Sequence, residues 1–149
     1  MVGLRLTEKA ASIATAQSRR KSMQEGIHSC ISRYAVDETV DRLVSLLHER
    51  EVKVFCTIDH AGEAAAAGML MPPTKVVIFG SPKAGTPLMQ AAPSLALDLP
   101  LKLLIAEQPD GTVRISWNDP KWLEQRHSLP EGMATAIAGI EVLARTIAG

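Results

Sequence analysis

A chain of 149 residues, 46% hydrophobic and 21% charged, has ordinary globular composition and length enough for one core but hardly for two. Sixteen Lys and Arg balance sixteen Asp and Glu, so no global field draws the chain to nucleic acid or an anionic membrane, and 3% aromatic content leaves few platforms for stacking bases. No apolar run approaches the ~20 residues of a membrane helix, and after Arg19-Arg20 the polar run Lys21 to Glu25 stands where a leader's apolar stretch would begin, so a cytoplasmic address is expected.

Residues 1–26 are rich in Ala, Ser, Thr, Gln and charge, and read as an extension, partly helical or disordered. A single domain is expected over 27–149. Ile27 to Tyr34 reads as a strand, and Asp37 is placed to cap a helix in which Val40, Leu43, Val44 and Leu47 share one face. The period then changes to two. Val52, Val54, Cys56 and Ile58 alternate with Lys53, Phe55, Thr57 and Asp59, which predicts a strand whose phase would carry His60 to the side of Val54 and Ile58. Gly62 to Gly68 is an alanine-rich helix bounded by glycines.

Lys75 to Phe79 reads as a buried strand, followed by a loop from Ser81 to Pro87 and a short helix around Leu88 to Ala92. Leu99, Leu101, Leu103 and Ile105 alternate, with Glu107 in phase. Gln108-Pro109-Asp110-Gly111 carries a hairpin signal, and Val113, Ile115 and Trp117 alternate on the return. Asn118 or Asp119 can cap a short helix with Pro120 in its first turn. Ser128 to Glu131 has the spacing of a capping box for a closing helix lined by Met133, Ile137, Ile140, Ala144 and Ile147. The order implies an α+β fold with a largely antiparallel sheet. Helices on one face leave the other to be covered, for which a homodimer is expected.

Four groups of residues invite chemistry. Asp59-His60 with Glu63 offers an imidazole near two carboxylates, a general acid or base, although strand neighbours point to opposite faces and Asp59 can instead cap the alanine-rich helix. Gly80 to Thr86 has the G-x-x-x-x-G spacing of a phosphate loop, but Thr86-Pro87 stands where the Lys and Ser or Thr of that motif belong. Ser81, Lys83, Gly85 and Thr86 therefore suggest a small anionic ligand or a rigid turn, not nucleotide hydrolysis. Asp98 opens a strand and Glu107 ends it on the apolar side, where a carboxylate needs a partner such as Lys102, Lys83, Arg126, His60 or a ligand. Arg126-His127 ends a short helix, where positive charge suits the helix dipole. Neither H-E-x-x-H nor C-x-x-C occurs, so no metal, no cofactor and no disulfide is expected, and Cys30 and Cys56 read as free thiols.

Several of these stretches together carry a resemblance: Thr57 to His60, Glu63 to Gly68, Phe79 to Met89, Leu97 to Lys102, and Asn118-Asp119-Pro120 with Arg126-His127. From about Ile27 to the C-terminus the chain resembles the "domain of unknown function 302" family. The resemblance implies a TATA-binding-protein-like order of strand, helix, four strands and helix, usually as a homodimer, and brings no established activity. It marks Asp59, His60, Glu63, Lys83, Asp98, Glu107, Arg126 and His127 as family-typical. The chain departs from that pattern at Ser81, where Asn is expected, near Met71, where a basic residue is expected, and at Ala106, where an aromatic is expected. The leading expectation is a dimeric small-ligand or anion-binding domain, with the Gly80 to Thr86 segment and Asp59, His60 and Glu107 around one cleft. An enzyme using His60 with Glu107 or Glu63, and a purely structural or interaction module, are the alternatives.

Overall fold

The computed structural model describes residues 25–149, so all of the expected extension except Glu25 and Gly26 lies outside the described residues. Strands β1 (Ile27–Ser32), β2 (Lys53–Asp59), β3 (Thr74–Gly80), β4 (Leu101–Glu107) and β5 (Val113–Asn118) form one antiparallel sheet in the order β1-β5-β4-β3-β2. Among the described residues five α-helices accompany it: α1 (Val36–Glu49), α2 (His60–Ala66), α3 (Pro82–Ala91), α4 (Pro120–Arg126) and α5 (Ile140–Ala148). Removing the short helices α2, α3 and α4 leaves strand, helix, four strands, helix, the order the family resemblance implies.

The core follows from two periodicities. Val77 and Phe79, Leu103 and Ile105, and Val113, Ile115 and Trp117 alternate onto one sheet face, where Val40, Leu43 and Leu47 of α1 and Leu143, Ala144 and Ile147 of α5 cover them. A smaller cluster of Leu88, Ala92, Leu95, Leu123, Leu129 and Ile137 ties α3 and α4 together beside the sheet. The β4-β5 turn closes as expected. Gly111 takes φ +83° and Asp110 Oδ1 accepts from both the backbone N–H and the hydroxyl of Thr112.

Four local expectations are corrected. The cap of α1 is Ala35, with no side-chain hydrogen bond, and Asp37 sits in the first turn, where its charge still favours the dipole. The alternation of β2 breaks at a bulge between Val54 and Cys56: Val54 pairs Phe79 on the helix side, whereas Cys56 and Ile58 pair Ile78 and Val76 on the other. Phe55 is the extra residue, and the bulge moves Thr57 and Asp59 to the helix side. The expected loop from Ser81 to Pro87 is the body of α3: Pro82 takes the first helical position, where no N–H is needed, and Pro87 is accommodated within the helix.

The closing helix is the fourth. A 3-10 turn at Met133–Ile137 precedes α5, with Gly132 left-handed at its start and Gly139 at the α5 N-terminus, because glycine supports a continuous helix poorly. Ser128 does not cap it but adopts φ +51°, and the Ala134 N–H is satisfied from outside by Glu124 Oε2 at 2.9 Å.

Candidate functional site

β2 and β3 are antiparallel over their full length, with Lys53 opposite Gly80 and Asp59 opposite Lys75. Five residue steps at about 3.3–3.4 Å each put roughly 17 Å of sheet between Gly80 and Lys75. Asp59, His60 and Glu63 therefore lie at one end of the sheet and the Gly80 to Thr86 segment at the other, so the expected common cleft does not exist.

At the first end, Asp59 is a helix cap. Its Oδ1 accepts from the Gly62 N–H at 2.9 Å, and its Oδ2 lies 3.9 Å from Lys75 Nζ, which makes its closer contact, 2.8 Å, with Asp37. A Cβ on Gly62 would lie 2.9 Å from Asp59 Oδ2, so glycine there makes room for the cap. His60 and Glu63 are exposed, and neither makes a side-chain hydrogen bond or ion pair among the described residues. Glu107 ends β4 half-buried, and its backbone N–H donates to Pro73 O at 2.9 Å. The expected buried partner for its carboxylate is absent among the described residues, because the strand end leaves it partly in water.

At the other end lies a cavity of about 360 Å³. Its floor is Phe79, Gly80 and Leu101, its walls are Gly85, Met89, Leu99 and Pro100 on one side and Ile137, Ile140 and Leu143 on the other, and Phe55, Ser81 and Thr86 also line it. The bulge contributes directly by releasing Phe55 from the pleat toward this space. Gly85 is part of its shape: a Cβ there would meet Leu99 Cδ1 at 3.5 Å and Met89 Cε at 3.8 Å. Arg50, exposed at the C-terminus of α1, is the single charged lining residue among the described residues.

This cavity is not a phosphate cradle. Pro82 lacks an N–H, and the Ala84 and Gly85 N–H groups both donate to Ser81 O, at 3.0 and 2.9 Å, so the start of α3 offers few free donors. Lys83 is exposed and does not line the space. Of the expected residues, Ser81, Gly85 and Thr86 line the cavity. Arg50, Phe55 and the α5 side were not singled out by sequence, because their approach is made by tertiary packing and by a bulge that strict alternation conceals.

A second constellation joins the 3-10 turn Pro93–Leu97 to the end of α4. His127 Nε2 lies 2.5 Å from Asp98 Oδ2, and His127 Nδ1 lies 2.8 Å from Ser94 Oγ. Arg126 Nε is 3.5 Å from the same Asp98 oxygen, with its guanidinium over the Trp122 ring. The side chains of His127 and Asp98 are 4% and 14% exposed, whereas Ser94 is open to solvent. Lys102 Nζ donates to Asp98 O at 2.8 Å and Pro100 O at 2.9 Å, and burial pushes its ammonium below the ordinary range, with Asp98 opposing the shift. Asp98, Arg126 and His127 are thus brought together as three of the expected residues. Ser94 is the member that sequence reading missed, since nothing local marks it.

Residues 28–147 match the family described as "Domain of unknown function DUF302". The chain belongs to the DUF302 family. A crystal structure of an uncharacterised conserved DUF302 protein from Bacillus stearothermophilus shares the fold with TM-score 0.69 at 17% identity, covering 83% of this chain and 95% of that one. Among curated proteins, this DUF302 chain is 37% identical over 139 residues to proteins named fluoride-specific ion channel FluC 1 of Brucella suis and Brucella abortus, covering 93% of this chain. It spans about half the length of those relatives, 54% and 51%. No helix among the described residues of the DUF302 domain is long and apolar enough to cross a membrane.

Proposed function

We propose that this DUF302 domain is a small-ligand-binding domain whose ligand has an apolar body and one anionic group. The observation that carries this reading is the cavity: about 360 Å³ lined mainly by apolar side chains, with Arg50 the one charged residue among the described residues that line it. Such a volume lies within the range of small-molecule sites, and an apolar enclosure with few polar groups at its edge is their usual make-up. His60 and Glu63 have no place in it, and with His60 exposed and no carboxylate in hydrogen-bond contact among the described residues, acid–base catalysis there has no geometric support. The cytoplasm is the compartment this reading assumes, consistent with the two unpaired thiols.

Calorimetric titration with octanoate and octan-1-ol tests it. Both should bind, octanoate more tightly, and Arg50→Ala should abolish the difference while leaving octan-1-ol affinity in place. Absence of heat and of any competition with a hydrophobic dye for both compounds would refute the reading.

The Brucella relatives favour a second role beside the first. They are named as fluoride channels, yet this chain, which spans about half their length, has no helix among its described residues long and apolar enough to cross a membrane. An apolar cavity with a single arginine is also a poor host for fluoride, a small anion whose desolvation is expensive. We therefore assign the domain as an accessory module working beside an anion-transport protein, not as the pore. Co-purification of the tagged domain with a membrane fluoride channel should show association, and its failure in detergent and in native vesicles alike would remove this role.

A homodimer is part of the same proposal. Ile58, Val76 and Leu104 form an apolar row directly across β2, β3 and β4 on the face opposite α1 and α5, and Ile27 and Ile31 are exposed on the same face of β1, beyond Arg114 and Ser116 of the intervening β5. A second copy would cover it.

A further inference from the structure

We infer that Ser94 is an activated nucleophile and that Ser94, His127 and Asp98 form a site for acyl transfer, separate from the ligand cavity. The three groups have the connectivity that serine chemistry needs. A carboxylate fixes the imidazole by accepting from one ring nitrogen, and the other nitrogen faces a hydroxyl: Asp98 Oδ2 to His127 Nε2 is 2.5 Å, and His127 Nδ1 to Ser94 Oγ is 2.8 Å. Because Asp98 accepts from Nε2–H, Nδ1 is left as the acceptor for the Ser94 hydroxyl. The two ring nitrogens exchange the roles they have in the serine proteases, and the proton-transfer chemistry does not depend on which nitrogen does which.

Exposure is distributed as the chemistry requires. The carboxylate and imidazole are held largely out of water, and the hydroxyl they act on is accessible. Pro93 opens the turn that presents Ser94, and Asp98 closes it, so the nucleophile and the positioning carboxylate are set by one short element. Arg126 Nε lies 3.5 Å from Asp98 Oδ2, so a half-exposed guanidinium borders the cluster on its solvent side.

The substrate class is a carboxylic ester with an accessible carbonyl. Ser94 Oγ attacks the acyl carbon as its proton passes to His127 Nδ1. The bond to the alcohol oxygen then breaks, and His127 returns the proton to that oxygen, leaving an acyl ester on Ser94. Water, deprotonated by Nδ1, attacks the acyl carbon, and Ser94 leaves with that proton. The sum is ester and water giving acid and alcohol, with no change of oxidation state.

Labelling with an alkyl fluorophosphonate, read by peptide mass spectrometry, tests the inference directly. Ser94 should be modified at least tenfold faster than the exposed Ser81 and Ser128, which make no side-chain hydrogen bond among the described residues. His127→Gln should lower the rate at Ser94 to that of those two serines. Asp98→Asn should lower it while leaving their rates unchanged, all measured on protein shown folded by circular dichroism. The parent should also hydrolyse p-nitrophenyl acetate faster than Ser94→Ala. Equal labelling of all three serines in the parent, or an unchanged Ser94 rate in folded His127→Gln, would overturn it. Octanoate binding is indifferent to these results, so this inference and the cavity reading stand or fall separately.

Discussion

Single side chains here divide into those that hold the fold and those free to act. Asp59 belongs to the first group through its bond to the Gly62 N–H, so Asp59→Ala should cost about 1 kcal/mol, whereas His60→Ala should stay within about 0.5 kcal/mol, both read by urea denaturation. The Lys75–Asp37 pair adds a pH signature. The hydrogen bond to Asp37 raises the Lys75 ammonium above its ordinary 10.5, opposed by desolvation. A raised folded-state value means that the pair's stabilisation is fully present below about 10.5 and is lost as pH rises through the higher folded value. The pair faces solvent on the Asp37 side, so the effect is under about 1 kcal/mol. The stability difference between the protein and Asp37→Asn should accordingly be flat from neutral to near pH 10 and shrink beyond it.

At the scale of elements, α3 matters most, because it makes one wall of the cavity and anchors the smaller core. Leu88 is buried within that cluster, and Leu88→Ala should cost about 2–5 kcal/mol in chemical denaturation. Gly85→Ala should do the reverse. Its Cβ meets only ordinary contacts, and replacing a helical glycine stabilises by up to about 1 kcal/mol, so melting temperature should rise while the cavity shrinks slightly. Gly85→Leu should fill the space and eliminate octanoate binding in calorimetry. The helix itself was poorly legible in the sequence: two prolines and a glycine in Pro82 to Pro87 read as a loop, yet Pro82 occupies the one helical position that suits proline. The β4-β5 hairpin and α1 were legible, since their patterns rest on short-range chemistry and one apolar face each. The bulge at Phe55 was not, because an inserted residue leaves the alternation of residue types intact while reversing which face each one occupies.

For the whole molecule, the order of elements and the antiparallel sheet followed from sequence, as did the membership that residues 28–147 establish. What did not follow was how distant segments meet. Sequence order suggested that Asp59-His60 and the Gly80 segment share a cleft, and antiparallel pairing carries them to opposite ends of the sheet. The same pairing gathers Ile58, Val76 and Leu104 into a cross-strand apolar row. If a second copy covers that row, Leu104→Glu with Ile31→Lys should convert a dimer to a monomer in light scattering without lowering the affinity for octanoate.

Methyl-detected NMR during octanoate titration is the most direct test of ligand binding in the cavity. Signals of Leu99, Ile137, Ile140 and Leu143 should shift together and saturate. Shifts confined to Ile31, Ile58 and Leu104 on the outer sheet face, or none at all, would contradict the account.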